Sequence, residues 1–220
     1  MLLKEWAEIA QSVSVILASL FAIYGIDAWR REFVGKRRIE LAEEVLALFY
    51  QAQDIIDAIR SPFGYGSEGE MRKPGPNEDP EHKEALDEAY VLIERYNRHT
   101  EVFSRLHALR YRFMAQFGAD ASIPFDDLNR VVNELILSAR RKARLATMPE
   151  RSLRSEAALE RHHKEFLEID RIYYGGSEDD PIAPRVKKLV GDIERTCKSI
   201  IESRGTLFDL INSRVWKSNS

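Results

Sequence analysis

Apolar positions recur along this chain with helical spacing almost throughout, except near the start, where charged positions stop altogether. From Ile9 to Ile26 the stretch IAQSVSVILASLFAIYGI carries no charge, between Glu8 and Asp27. Eighteen helical residues cover about 27 Å, close to the ~30 Å hydrocarbon core of a bilayer. The run predicts a transmembrane helix. Trp6 and Trp29 bracket it and Tyr24 lies near its end, where amphipathic rings favour the headgroup layer. The competing reading is a helix buried all round in a soluble bundle, but such helices seldom end in a basic cluster.

After Trp29 the pattern is one-sided. Ile39, Ala42, Leu46, Phe49, Ile56 and Ile59 keep three-or-four spacing, so the membrane helix can continue as one rod until Ser61-Pro62 ends it. Residues 61–80 hold four prolines and four glycines and read as a flexible connection. Asp79-Pro80-Glu81 has the grammar of a helix start, with a cap, a proline at the first position and an acid in the first turn. From there Leu86, Tyr90, Ile93, Phe103, Leu106, Leu109, Phe113 and Phe117 mark one face, up to Gly118. That predicts a single rod close to forty residues long. A short turn through ADASIP leads to Leu128, Val131, Leu135 and Ala139; Pro149 breaks the chain before Leu159, Phe166, Ile169 and Tyr173. GGSEDDP repeats the start signal with Asp180 and Pro181, and a last helix runs through Val186, Leu189, Ile193, Cys197, Ile200, Leu207 and Ile211. No stretch alternates as a half-buried strand does.

The expected fold class is all-α: a single N-terminal transmembrane helix continuing into a cytoplasmic up-and-down bundle of about four long helices. The expected organisation is an anchor over 1–29, a bundle over 30–215 and a tail over 216–220.

Charge fixes the expected orientation. Only Lys4 precedes the span, whereas Arg30, Arg31, Lys36, Arg37 and Arg38 follow it; the positive side stays cytoplasmic. This places the N-terminus outside the plasma (inner) membrane and the rest within. Because the charge lies behind the apolar run, and LASLFAIYG offers no A-x-A, an uncleaved anchor fits better than a signal peptide. The basic set, with Trp6 and Trp29, forms the expected membrane interface. Within the span Ser14, Ala18, Ala22 and Gly25 share one stripe with Gln11 beside it, a pattern that lets helices approach closely in lipid and so points to a homo-oligomer.

Over the whole chain 33 basic residues meet 36 acidic ones, so no global field recruits nucleic acid. The densest local patch is Arg140, Arg141, Lys142 and Arg144 with Arg151 and Arg154, a candidate for an anionic partner. No aromatic is interleaved there, which argues against base stacking and nucleic acid. Gly64-Tyr65-Gly66-Ser67-Glu68-Gly69 spells G-x-G-x-x-G but follows a helix and precedes Pro74, without the strand and helix that give the fingerprint its mechanism. Glu160 and His163 make one Glu-x-x-His where a di-iron bundle needs two. Cys197 on an apolar face is expected to act as a small hydrophobe, and one cysteine excludes an internal disulfide. No catalytic residue, cofactor or metal is expected. The partners expected are the bilayer, further copies of the chain and an unidentified cytoplasmic protein. The functional expectation is a membrane-anchored helical interaction module, with a homo-oligomeric pore and an enzyme lacking a local motif as alternatives.

Overall fold

The computed structural model of the protein describes residues 2–64, 66–76, 78–149 and 154–202, with side chains from Gln11 onward apart from those of 12, 23, 27 and 28. Six α-helices are described: α1 (Leu2–Ile59), α2 (Lys83–Asn97), α3 (Thr100–Phe117), α4 (Ile123–Ala146), α5 (Glu156–Tyr173) and α6 (Ala183–Glu202). There is no strand among the described residues.

α1 is one uninterrupted helix of 58 residues, because its sequence has no proline before Pro62. Its last turn holds no basic side chain, and the orphaned carbonyls there are satisfied from a distance. Arg95 of α2 donates Nη1 to Ile59 O at 3.2 Å and to Ser61 O at 2.7 Å. A guanidinium fixed at the negative end of the helix dipole both caps and terminates it.

The expected rod over 80–117 is two helices instead. At the break the His99 N–H bonds Tyr96 O, and the Thr100 hydroxyl donates to Asn97 O. Asn, His and Thr are poor helix formers, and a side chain bonded to a nearby carbonyl competes with the ladder. The break also serves packing. It lets α3 lean on α1, where Arg105 pairs with Glu44 at 2.6 Å, while α2 lies against α4, where Glu88 reaches Lys142 at 3.2 Å.

The loop between α1 and α2 differs from the flexible connection expected of its composition. Glu68 pairs with Arg95 at 2.5 Å, and Arg72 grips both oxygens of Glu78 at 2.6 Å and Asp87 at 2.8 Å. Gly69 is buried with φ +93°, and a Cβ there would sit 2.2 Å from the Asp87 carbonyl oxygen. Only glycine allows that approach in a left-handed conformation.

The core begins at Leu41 and fills the space between α1, α3, α4 and α6, with Leu92 from α2. Phe49 and Phe113 are fully buried around Phe125, their ring centroids 4.9 and 5.5 Å from it. At the far end Arg60 is 1% exposed and meets the Asp180 carboxylate in a two-pronged pair at 2.8 and 2.9 Å. The same carboxylate accepts the N–H groups of Ile182 and Ala183; α6 itself begins at Ala183, two residues beyond the expected start at Pro181, so Asp180 holds the entry to the helix and ties it to the end of α1. Leu207 and Ile211 lie outside the described residues.

Candidate functional site

Among the described residues, one helix is long and apolar enough to cross a membrane, and it is α1; none of its most apolar stretch is buried in the molecule. Gln11, Ser14, Ala18, Ala22 and Gly25 are all exposed along it. Trp29 stacks on Phe33, 5.7 Å between centroids, and the Arg37 guanidinium covers Phe33 in turn. Trp6 belongs to α1, with its side chain outside the described part. Arg30, Arg31 and Lys36 point to solvent, whereas Arg38 turns back to the bundle, donating to Gln116 O at 3.4 Å and lying over the Phe117 ring. The basic set therefore divides: four side chains ring the helix, and one ties it to α3.

The other basic group separates more sharply. Arg140, Arg141, Arg144 and Arg154 are exposed, and Arg151 lies outside the described residues. Lys142 departs from the expected surface patch, because it points inward and is 4% exposed. Its ammonium sits 2.8 Å from Asp170 and 3.2 Å from Glu88, with the rings of Phe166, Tyr173 and Tyr174 around it at 4.5–5.2 Å. Two carboxylates and three π-faces together compensate a desolvated cation. Tyr173 adds a bond from its hydroxyl to Glu88 O at 2.7 Å. Burial pushes both tyrosine hydroxyls well up. Burial also pushes Glu88 up, but the Tyr174 hydroxyl and the Lys142 ammonium outweigh it and hold its carboxyl below the usual value. The cluster locks α2, α4 and α5 together and leaves the amine no free face for chemistry. A sequence signal for it existed: position 142 continues the Leu135/Ala139 face.

A cleft of about 390 Å³ lies between α3 and α4 and is lined by Tyr96, Phe103, His107, Arg110, Phe125 and Asn129. The α2/α3 break opens it by drawing α2 onto α4 and α3 onto α1. Arg110 Nη2 bonds Asp126 at 2.9 Å; its Nε is as near to the other oxygen, but the N–H points away and stays unbonded. Sequence reasoning missed this cleft, since nothing in a one-dimensional pattern marks a gap between two helices.

The remaining motifs are taken up in packing. His162 bonds Leu145 O at 3.2 Å as an ordinary packed histidine, and no group of metal-binding side chains occurs among the described residues. Burial pushes the Cys197 thiol up to about 12, far from a nucleophilic thiolate. The G-x-G-x-x-G segment is held by Arg95 and Glu94, with its third glycine pressed on α2 and not presented to a phosphate. No protein-family model matches the chain, and neither a curated protein nor a solved structure matches it.

Proposed function

We propose that this protein is a membrane-anchored helical module: α1 crosses the bilayer once, and the helices packed on its inner half form an up-and-down bundle on the cytoplasmic side that holds a partner at the membrane. One observation carries the reading. The described side chains of the uncharged stretch that ends at Ile26 are all exposed, yet they belong to the same helix whose residues from Leu41 form the core. In water such a stretch is an aggregation hazard; in lipid it needs no covering. The five basic residues after the span support the orientation.

Alkaline carbonate treatment of membranes tests the anchor. The protein is expected to remain in the pellet; release into the supernatant overturns the reading. Protease added to sealed cells or inverted vesicles then reports the side on which the bundle lies.

A second reading rests on the exposed small-residue stripe from Ser14 to Gly25, which suits assembly of several spans into a pore or effector. Light scattering of the detergent-solubilised chain distinguishes the two, with Ala18→Leu/Ala22→Leu as the variant. A defined oligomer that the leucines dissociate supports assembly through the span, whereas a monomer in both forms removes the pore.

A further inference from the structure

Two stripes of helical spacing face each other across the cleft between α3 and α4. Phe103, His107 and Arg110 recur along α3, and Phe125, Asn129 and Val132 along α4, so each set lies on one side of its helix. The floor is apolar. Leu106, Phe125 and Leu128 line the cleft and also belong to the core, which means that it reaches through the helix layer to the bundle interior.

One wall is aromatic. Across the α2/α3 break the rings of Tyr96 and Phe103 lie 5.3 Å apart with a tilt of 32°, and His107 adds a third ring one turn further along α3. A volume of about 390 Å³ stands at the low end of the range for small-molecule sites. Aromatic faces around a cleft of that size suit a flat body of one or two rings.

The polar groups of the lining say what kind of ring. Ser104, His107 and Asn129 are exposed at the rim. Burial pushes the Tyr96 hydroxyl up, which keeps it a neutral donor. Among the lining residues Arg110 is the one fixed cation and Asp126 the one carboxylate, and they are paired at 2.9 Å. An anionic ligand would have to displace that carboxylate from its guanidinium, a charge-assisted bond of the stronger class. The Asn129 amide offers a donor and an acceptor side by side, which match an acceptor next to an N–H on the edge of a nitrogen heterocycle, as when Asn reads adenine.

From this arrangement we infer that the cleft binds a small, uncharged, planar nitrogen heterocycle of about purine size, stacked against Tyr96 and Phe103 with its edge on Asn129 and Ser104. The site is independent of whether α1 crosses a bilayer.

Calorimetry on the full-length chain in detergent, with adenine and adenosine as probes, tests it. Both are expected to bind at a single site, and adenosine 5′-monophosphate no tighter than adenosine. Asn129→Leu is expected to weaken adenine about tenfold or more and to leave indole, a flat body of similar size without the matching edge, unaffected. Ser104→Trp places a large side chain at the mouth and is expected to abolish adenine binding. Both positions are exposed, so both variants are expected to unfold at the temperature of the unaltered chain. A separate readout locates the probe: adenine is expected to shift the methyl resonances of Leu106, Leu128 and Val132 and to leave those of Leu189 in place. No binding of either probe at millimolar concentration, binding that survives Ser104→Trp, indole binding as tightly as adenine, adenine binding unchanged in Asn129→Leu, a monophosphate tighter than adenosine, or unmoved cleft methyls would each overturn the inference.

Discussion

The two halves of α1 have similar apolar content but opposite surroundings. In the inner half Ala42, Val45 and Phe49 are fully buried while Glu43 and Asp54 on the other side are exposed. In the outer half Phe21 is 74% exposed and no charge interrupts the run. A helix that is one-sided in charge finds a protein core; one without charge on any side finds none among the described residues. The difference teaches that the arrangement of polar positions, not the amount of apolar surface, decides which solvent a helix segment is built for.

The sharpest way to break this comparison is to truncate the same residue type in each half. Phe49→Ala is expected to destabilise the bundle by about 3–5 kcal/mol, and Phe21→Ala to leave it unchanged, both read by denaturant unfolding in detergent. Equal effects would erase the distinction. A loss of similar size is expected at the far end of the inner half, where Arg60→Met leaves the Asp180 carboxylate buried without its partner, at about 3–5 kcal/mol. The pair also gives a pH signature. Burial pushes Asp180 up, but Arg60 and two backbone N–H groups outweigh it and hold the carboxyl below its ordinary 3.8. A depressed folded value means stabilisation that is complete above about pH 4 and fades as pH falls through the folded value. Arg60→Met is expected to remove that part of the acid dependence of unfolding.

Gly69→Ala comes next, at about 1–3 kcal/mol, since it combines positive φ with a backbone clash; exchange rates over 61–80 would report the loosened loop. The smallest expected effect is Arg140→Gln with Arg144→Gln, within about 0.5 kcal/mol on stability. The pair sharpens the comparison on α4, where Lys142→Met between them should perturb the packing of α5.

Much of this was legible in the sequence because helical period and punctuation are local. Pro62, Gly118 and Pro149 end or separate helices as their chemistry requires, and the uncharged run is visible without any structure. The break at Asn97–Thr100 was not, because weak propensities there are overridden or used according to what α2 and α3 pack against. The ties that hold the described part of the 61–80 loop were hidden for a similar reason: Arg95 and Glu94 are remote from it in sequence, and nothing local marks them as its partners. Lys142 was placed on the surface by its basic neighbours, although its own register pointed inward. The loop and Lys142 share a cause, which is that a charge looks solvated until the tertiary fold supplies its counter-charge.

The Arg60–Asp180 pair also says something about how the chain is made. Its members are separated by 120 residues, so during synthesis Arg60 and the inner face of α1 emerge long before the helix that closes them. At about 5–20 residues per second the wait is roughly 6–24 s. α1 leaves the ribosome well before the helix that completes its packing, and until then its apolar inner face is a natural substrate for holding factors.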